Sequence, residues 1–313
     1  MKVEQIRLTG SGGTELQAML WQPEGKTLAV LQITHGMTEH IGRYEDLARE
    51  LCGHGIALAG FDLRGHGRNP GSPDTASLGE GGWEASLEDM RLFYGQLRQR
   101  FPDAAHYMLG FSLGSFLLRE YLGRYPAGVA GAVIAGTGHE SGWLLGILMA
   151  LLGKEIRKAG FDGTTDLVRK LSFGTYNQKF KPCRTEADWL CGDREALDRY
   201  LADPLVRKDI SAGLFRDLLG SMKRTGRADS YRSWNRDMPV LFLYGAEDPV
   251  GKAGKGVAQV RDMLRKAGLR DLDSRGFAGA RHDIFHEDAG GTGEEAARCI
   301  AGWLKEKLER TVL

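Results

Sequence analysis

Surplus charge, cysteine and long hydrophobic runs are all scarce in this chain, and each shortage excludes a class of protein. Its 313 residues carry 42 Lys and Arg against 41 Asp and Glu, a formal net charge of +1. That balance offers no electrostatic footprint for a nucleic acid or another polyanion. The four cysteines, Cys52, Cys183, Cys191 and Cys299, are scattered along the chain. Cys183 and Cys191 are spaced outside the common zinc patterns, so we expect reduced thiols, no metal and a cytoplasmic location. The longest apolar run, residues 143–152, is about half of what a membrane span needs. The polar, alternating start from Met1 to Thr9 reads as a strand rather than a signal peptide. There is no internal repeat and no low-complexity tract.

What is present is ordinary globular composition, 42% apolar and 27% charged, on a chain long enough to bury a large core. Residues 3–8 and 16–21 read as an antiparallel pair joined by a Gly-rich turn at 10–13. Strands are then expected at 28–34, 56–61, 107–111 and 129–135, with helices near 44–53, 83–100 and after residue 112. These strands are continuously apolar rather than alternating, which implies a sheet covered on both faces. From 138 to 236 the βα rhythm stops in favour of helix-like sequence broken at Pro182 and Pro204. Strand character returns at 239–244 and 272–277, with helices near 256–267 and 294–307. A stretch as long as 138–236 is too much for a loop, so an inserted helical cap is expected there. The core is then 1–137 and 237–313.

The chemistry starts at Gly110-Phe111-Ser112-Leu113-Gly114, where an apolar strand runs into a helix. Glycines on both sides let neighbouring backbone pass close and leave the Ser112 hydroxyl exposed at a helix N-terminus. A serine needs a base to take its proton and an acid to orient that base. Asp248, after the strand ending at Tyr244, and His282, after the last strand, follow in the order Ser, acid, His. Both lie beyond C-terminal strand ends, where open α/β sheets place their sites. His286 is the near rival to His282, Glu247 the competitor of Asp248, and Asp283 is too close in sequence to His282 to orient it comfortably. For an oxyanion, the N–H of Leu113 at the helix start and that of Met37, in the loop His35-Gly36-Met37, are the candidate donors. The His35 side chain and the loop Asp62-Leu63-Arg64-Gly65-His66-Gly67 are expected to be hydrogen-bonded scaffold.

Five blocks in this order resemble the monoacylglycerol lipase and lysophospholipase branch of the α/β-hydrolases, the serine-aminopeptidase-like group. They are residues 35–44, 62–67, 110–114, 245–249 and 279–282, so the resemblance spans nearly the whole chain. It implies an α/β-hydrolase fold with a mostly parallel sheet and a helical cap, and no cofactor. It also implies Ser112, Asp248 and His282 as catalytic triad, with the Met37 and Leu113 amides as oxyanion hole. One departure is Asp283, where such proteins often carry Glu.

The expected activity is hydrolysis of a carboxylic ester, a monoacylglycerol or lysophospholipid, through an acyl-enzyme on Ser112. The partner is then a small-molecule or lipid ester. An aminopeptidase or thioesterase on the same residues is the alternative; an aminopeptidase would need an acid such as Glu140, Asp188 or Asp193 to hold the amine. Ser112 stands where dehalogenases and epoxide hydrolases of this fold use Asp, which argues against their chemistry. A ligand-binding protein without turnover is the rival from another class. Two readings fit the apolar run 143–152: cap helix packing, taken first, or a face that receives an acyl chain or touches a membrane surface. Phe173, Tyr176, Phe180 and Trp189 suit an acyl pocket or core packing equally. The sequence sets no oligomeric state.

Overall fold

In the computed structural model, which describes residues 1–287 and 291–311, strands and helices alternate through the first half as their sequence patterns require. In chain order these are β1 (Lys2–Thr9), β2 (Glu15–Gln22), β3 (Ala29–Thr34), α1 (Glu45–Gly53), β4 (Ile56–Phe61), β5 (Thr75–Ala76), α2 (Gly82–Arg100), β6 (Ala105–Phe111), α3 (Leu113–Arg124) and β7 (Gly131–Ala135). After β7 come α4 (Gly142–Ala159), α5 (Asp166–Ser172), α6 (Arg194–Ala202), β8 (Asp209–Ile210) and α7 (Ala212–Arg224). The chain ends with β9 (Val240–Gly245), α8 (Lys255–Ala267), β10 (Leu272–Phe277) and α9 (Thr292–Thr311).

Eight strands form the main sheet in the order β1-β2-β4-β3-β6-β7-β9-β10. The first two are antiparallel to their neighbours, and from β4 onward every pairing is parallel. Alternate side chains of the buried strands enter separate cores. Val30, Met108 and Ile134 pack with α2, α3 and α8, whereas Leu31, Leu109 and Val133 pack with α1 and α9. That two-sided burial is why these strands read as unbroken apolar runs.

The apolar run 143–152 lies in α4, and packing accounts for only one of its faces. Leu145 and Leu152 are buried, with Leu148 and Met149 against the same core. Trp143 and Ile147, however, are 71% and 52% exposed. The expectation that packing explains the run is therefore corrected for these two side chains. Among the described residues no helix is long and apolar enough to cross a membrane.

Candidate active site

Ser112 occupies the single residue between β6 and α3, at φ 50° and ψ −116°, a conformation L side chains rarely adopt. The two flanking glycines make the turn sterically feasible. A Cβ on Gly110 would lie 2.3 Å from Gly114 O, and one on Gly114 only 2.0 Å from Thr34 O. The second contact seats the start of α3 directly on the end of β3. Leu113 N–H is the first amide of that helix and has no carbonyl a turn behind it.

That loop is held from several sides. His35 is fully buried; its Nδ1 donates to Gly36 O at 2.8 Å and its Nε2 accepts from Leu63 N–H at 2.9 Å. Burial holds its pKa below the ordinary histidine value. Gly36 N–H donates to Glu39 Oε1 at 2.6 Å. Asp62 accepts from Ile41 N–H at 2.8 Å and Arg68 N–H at 3.0 Å, so the 62–67 loop serves as scaffold here.

His282 follows β10, and its Nε2 lies 2.8 Å from Ser112 Oγ. Its Nδ1 is 3.0 Å from Asp248 Oδ2. Asp248 Oδ1 accepts from Val250 N–H at 2.8 Å, which fixes the carboxylate. Asp248 and His282 are 0% and 1% exposed. Burial is the largest single effect and penalises the imidazolium, but the carboxylates of Asp248, Asp283 and Glu39 together outweigh it. The pKa of His282 is therefore held above its ordinary value.

The rivals are engaged elsewhere. Glu247 is half-exposed and faces Lys179 at 3.6 Å. Asp283 pairs with Arg43 at 3.0 Å and His286 at 2.7 Å. Of the acids weighed for an amine, Glu140 pairs with Lys252 at 2.7 Å, Asp188 accepts from Arg184 and Thr185 N–H, and Asp193 caps α6.

The aromatics of the 138–236 segment divide around the histidine. Trp189 lies 5.3 Å from the His282 ring, which also has Phe111 at 5.2 Å, and Trp189 stacks on Phe173 at 5.6 Å with Tyr176 at 4.8 Å. Phe180 instead covers Arg281, whose guanidinium stands 4.2 Å over the ring. Sequence reasoning missed what pins Trp189 there. Arg281 donates to the carbonyls of Asp188 and Cys191, Asp283 N–H donates to Leu190 O, and Gly192 N–H donates to Glu287. The large cleft between the ends of α4 and α7, about 740 Å³, is lined by none of Ser112, Asp248 or His282. Among the described residues no cluster of His, Cys, Asp and Glu could hold a metal ion.

A nucleophile turn at the end of a parallel strand, with its histidine and carboxylate on later strand ends, is the arrangement of the α/β-hydrolases. The family model described as serine aminopeptidase, S33, matches residues 25–289. The chain belongs to that family. Within it, the chain falls in the monoacylglycerol lipase-like branch. A monoacylglycerol lipase of Mycolicibacterium smegmatis is 25% identical over 280 residues, 89% of each chain. A monoglyceride lipase homolog of monkeypox virus is 30% identical, across 92% of this chain and 94% of its own. In fold, a carboxyl esterase of Bacillus coagulans, solved with glycerol, superposes with TM-score 0.86 at 21% identity over 98% of this chain and 99% of that one.

Proposed function

We propose that this S33-family protein is a carboxylic ester hydrolase of the monoacylglycerol lipase type, with Ser112, His282 and Asp248 as its triad. The observation that carries the reading is the 2.8 Å approach of His282 Nε2 to Ser112 Oγ, with Asp248 behind the ring. His282 takes the Ser112 proton as Oγ attacks the ester carbonyl. The oxyanion is received by the N–H groups of Met37 and Leu113, and Asp248 stabilises the imidazolium. His282 then protonates the departing alcohol, leaving an acyl-enzyme. It next deprotonates a water that attacks the same carbonyl and frees the acid.

Monoacylglycerols or lysophospholipids are the substrate class, and the likeness to monoacylglycerol lipases supports the first of the two. Residues 138–236 act as the cap over a core of 1–137 and 237–313, with the Phe173–Tyr176–Trp189 wall against the acyl chain. Trp143 and Ile147, exposed on α4, suit transient contact with a lipid surface. An amine substrate is disfavoured because Glu140, Asp188 and Asp193 all have partners.

The test is kcat/KM across esters of rising acyl length, including monoacylglycerol and lysophosphatidylcholine, alongside labelling by a serine-reactive phosphonate. Ser112→Ala should abolish labelling and lower turnover by about 10⁴-fold or more without unfolding the chain. A steep rise toward long acyl chains supports the lipase reading. Full activity in Ser112→Ala would overturn the triad, and a flat acyl profile would overturn the lipid substrate.

A further inference from the structure

The loop carrying the Met37 amide and the loop carrying His282 come from opposite ends of the chain, yet a chain of buried charges joins them. Glu39 is 2% exposed, and its Oε1 accepts from Gly36 N–H at 2.6 Å and from Tyr44 OH at 2.7 Å. Its Oε2 accepts from Arg43 Nη1 at 2.6 Å. Arg43 Nη2 donates to Asp283 Oδ2 at 3.0 Å. Asp283 is the residue next to His282, and its Oδ1 is 2.7 Å from His286 Nδ1. His286 Nε2 closes the circuit onto Arg43 O at 3.0 Å.

Gly36 is built for this contact. A Cβ there would lie 2.7 Å from Glu39 Oε1, so any larger residue would push the carboxylate off the amide. The end of α6 braces the same loop, with Tyr200 OH 2.7 Å from Thr38 Oγ1 and Asp203 2.8 Å from His40. Stability alone is a poor reason to bury Glu39, Arg43 and Asp283 together. Each ion loses several kcal/mol of hydration, about as much as the pairing returns. A fixed relation between two loops is something an apolar patch would not supply.

We propose that Glu39, Arg43 and Asp283 are positioning residues, an ionic bridge that keeps the Met37 amide in register with His282 as Ser112 reacts. The proposal rests on the triad reading above. The charges facing His282 are Asp248 at 3.0 Å and, further off, Asp283 and Glu39, with the Ser112 hydroxyl at 2.8 Å. Arg281, its other sequence neighbour, is turned to the carbonyls of Asp188 and Cys191. Around the bridge stand His286, Tyr44 and Tyr200, with His35 near Glu39 and with Cys191 and Glu287 near Asp283.

The experiment measures kcat, KM and the acid limb of the pH–rate profile on one soluble ester, with phosphonate labelling and a folding check. Glu39→Gln should lower kcat by about 10- to 100-fold with little change in KM, as expected when a catalytic geometry is displaced by a fraction of an ångström. Its acid limb should move to lower pH, because a negative charge that favours the His282 imidazolium is gone. Glu39→Asp keeps the charge but not the reach, so its limb should stay in place while kcat still falls. A folded Glu39→Gln with parental kcat and limb would overturn the proposal, as would a rise in KM alone. If Glu39→Gln does not fold, Asp283→Asn carries the same test and the same two outcomes. A parent chain that resists the phosphonate overturns the triad and the bridge together; a parent that labels, with unaffected variants, overturns the bridge alone.

Discussion

Ser112 is held at φ 50° by its surroundings rather than by its own preference. Its N–H donates to Ala135 O at 3.0 Å, and its carbonyl accepts from Ser115 N–H at 2.8 Å and Ser115 Oγ at 2.6 Å. Such a conformation costs a residue with a Cβ about 1–3 kcal/mol, while glycine takes it freely. Ser112→Ala should therefore retain the strain and Ser112→Gly should lose it. Glycine gives back a few tenths to 1 kcal/mol through the freer unfolded chain. The net expectation is that Ser112→Gly unfolds at higher denaturant than Ser112→Ala by about 1 kcal/mol, with both inactive. Equal midpoints would mean that the turn carries no strain.

At the level of elements, α3 does more than follow Ser112, because Arg119 on its buried side reaches both ends of the 138–236 segment. Its guanidinium donates to Gly138 O at 3.0 Å and Thr137 Oγ1 at 3.2 Å where the chain leaves β7. It also donates to Thr225 O at 3.1 Å just after α7, and to Tyr231 OH at 2.7 Å. Arg119→Met would orphan the buried Gly138 carbonyl, whereas Thr225 O keeps Tyr231 OH at 2.7 Å, and a fall in unfolding free energy of about 1–3 kcal/mol is expected. Arg119→Lys should recover only part of it, since an ammonium cannot span acceptors that a planar fork reaches. Chemical denaturation of both variants checks this; a Met variant as stable as the parent would dismiss Arg119 as an anchor. None of these long-range ties was legible in the sequence, whereas the strands and most helices were. Val30 through Ile33 announce a two-sided buried strand by composition alone, and Gly110 to Gly114 announce a turn by local spacing. Arg43 and Asp283 lie 240 residues apart, so no period or motif connects them. Trp189 stood out only as one aromatic among several, because its place on His282 is set by backbone bonds from Asp283 and the reach of Arg281.

For the whole molecule, histidines of opposite sign set how stability and activity separate with pH. His35 and His66 are both fully buried, and burial holds each pKa down, that of His66 to about 3. In the unfolded chain they would titrate near about 6.5. Their contribution to folding is thus complete above that pH. It is lost as pH falls toward the folded value, by roughly 1.4 kcal/mol per pH unit for each ring. His282 runs the other way, since its folded pKa is raised. Its contribution is complete below about pH 6.5 and fades as pH rises through the folded value. Acidification should accordingly cost the enzyme activity before it costs the fold. With the proposed triad, turnover falls first, as His282 protonates above its ordinary pKa and can no longer accept the Ser112 proton. Unfolding follows only once the pH is low enough to favour charged His35 and His66 in the unfolded chain. Urea denaturation at about pH 7.5, 6 and 5, paired with activity assays, resolves the two events. Activity lost near pH 6 should return at once when the pH is restored, with the denaturation midpoint little changed. A midpoint that collapses in step with activity would mean that the fold, and not His282, limits the enzyme on the acid side.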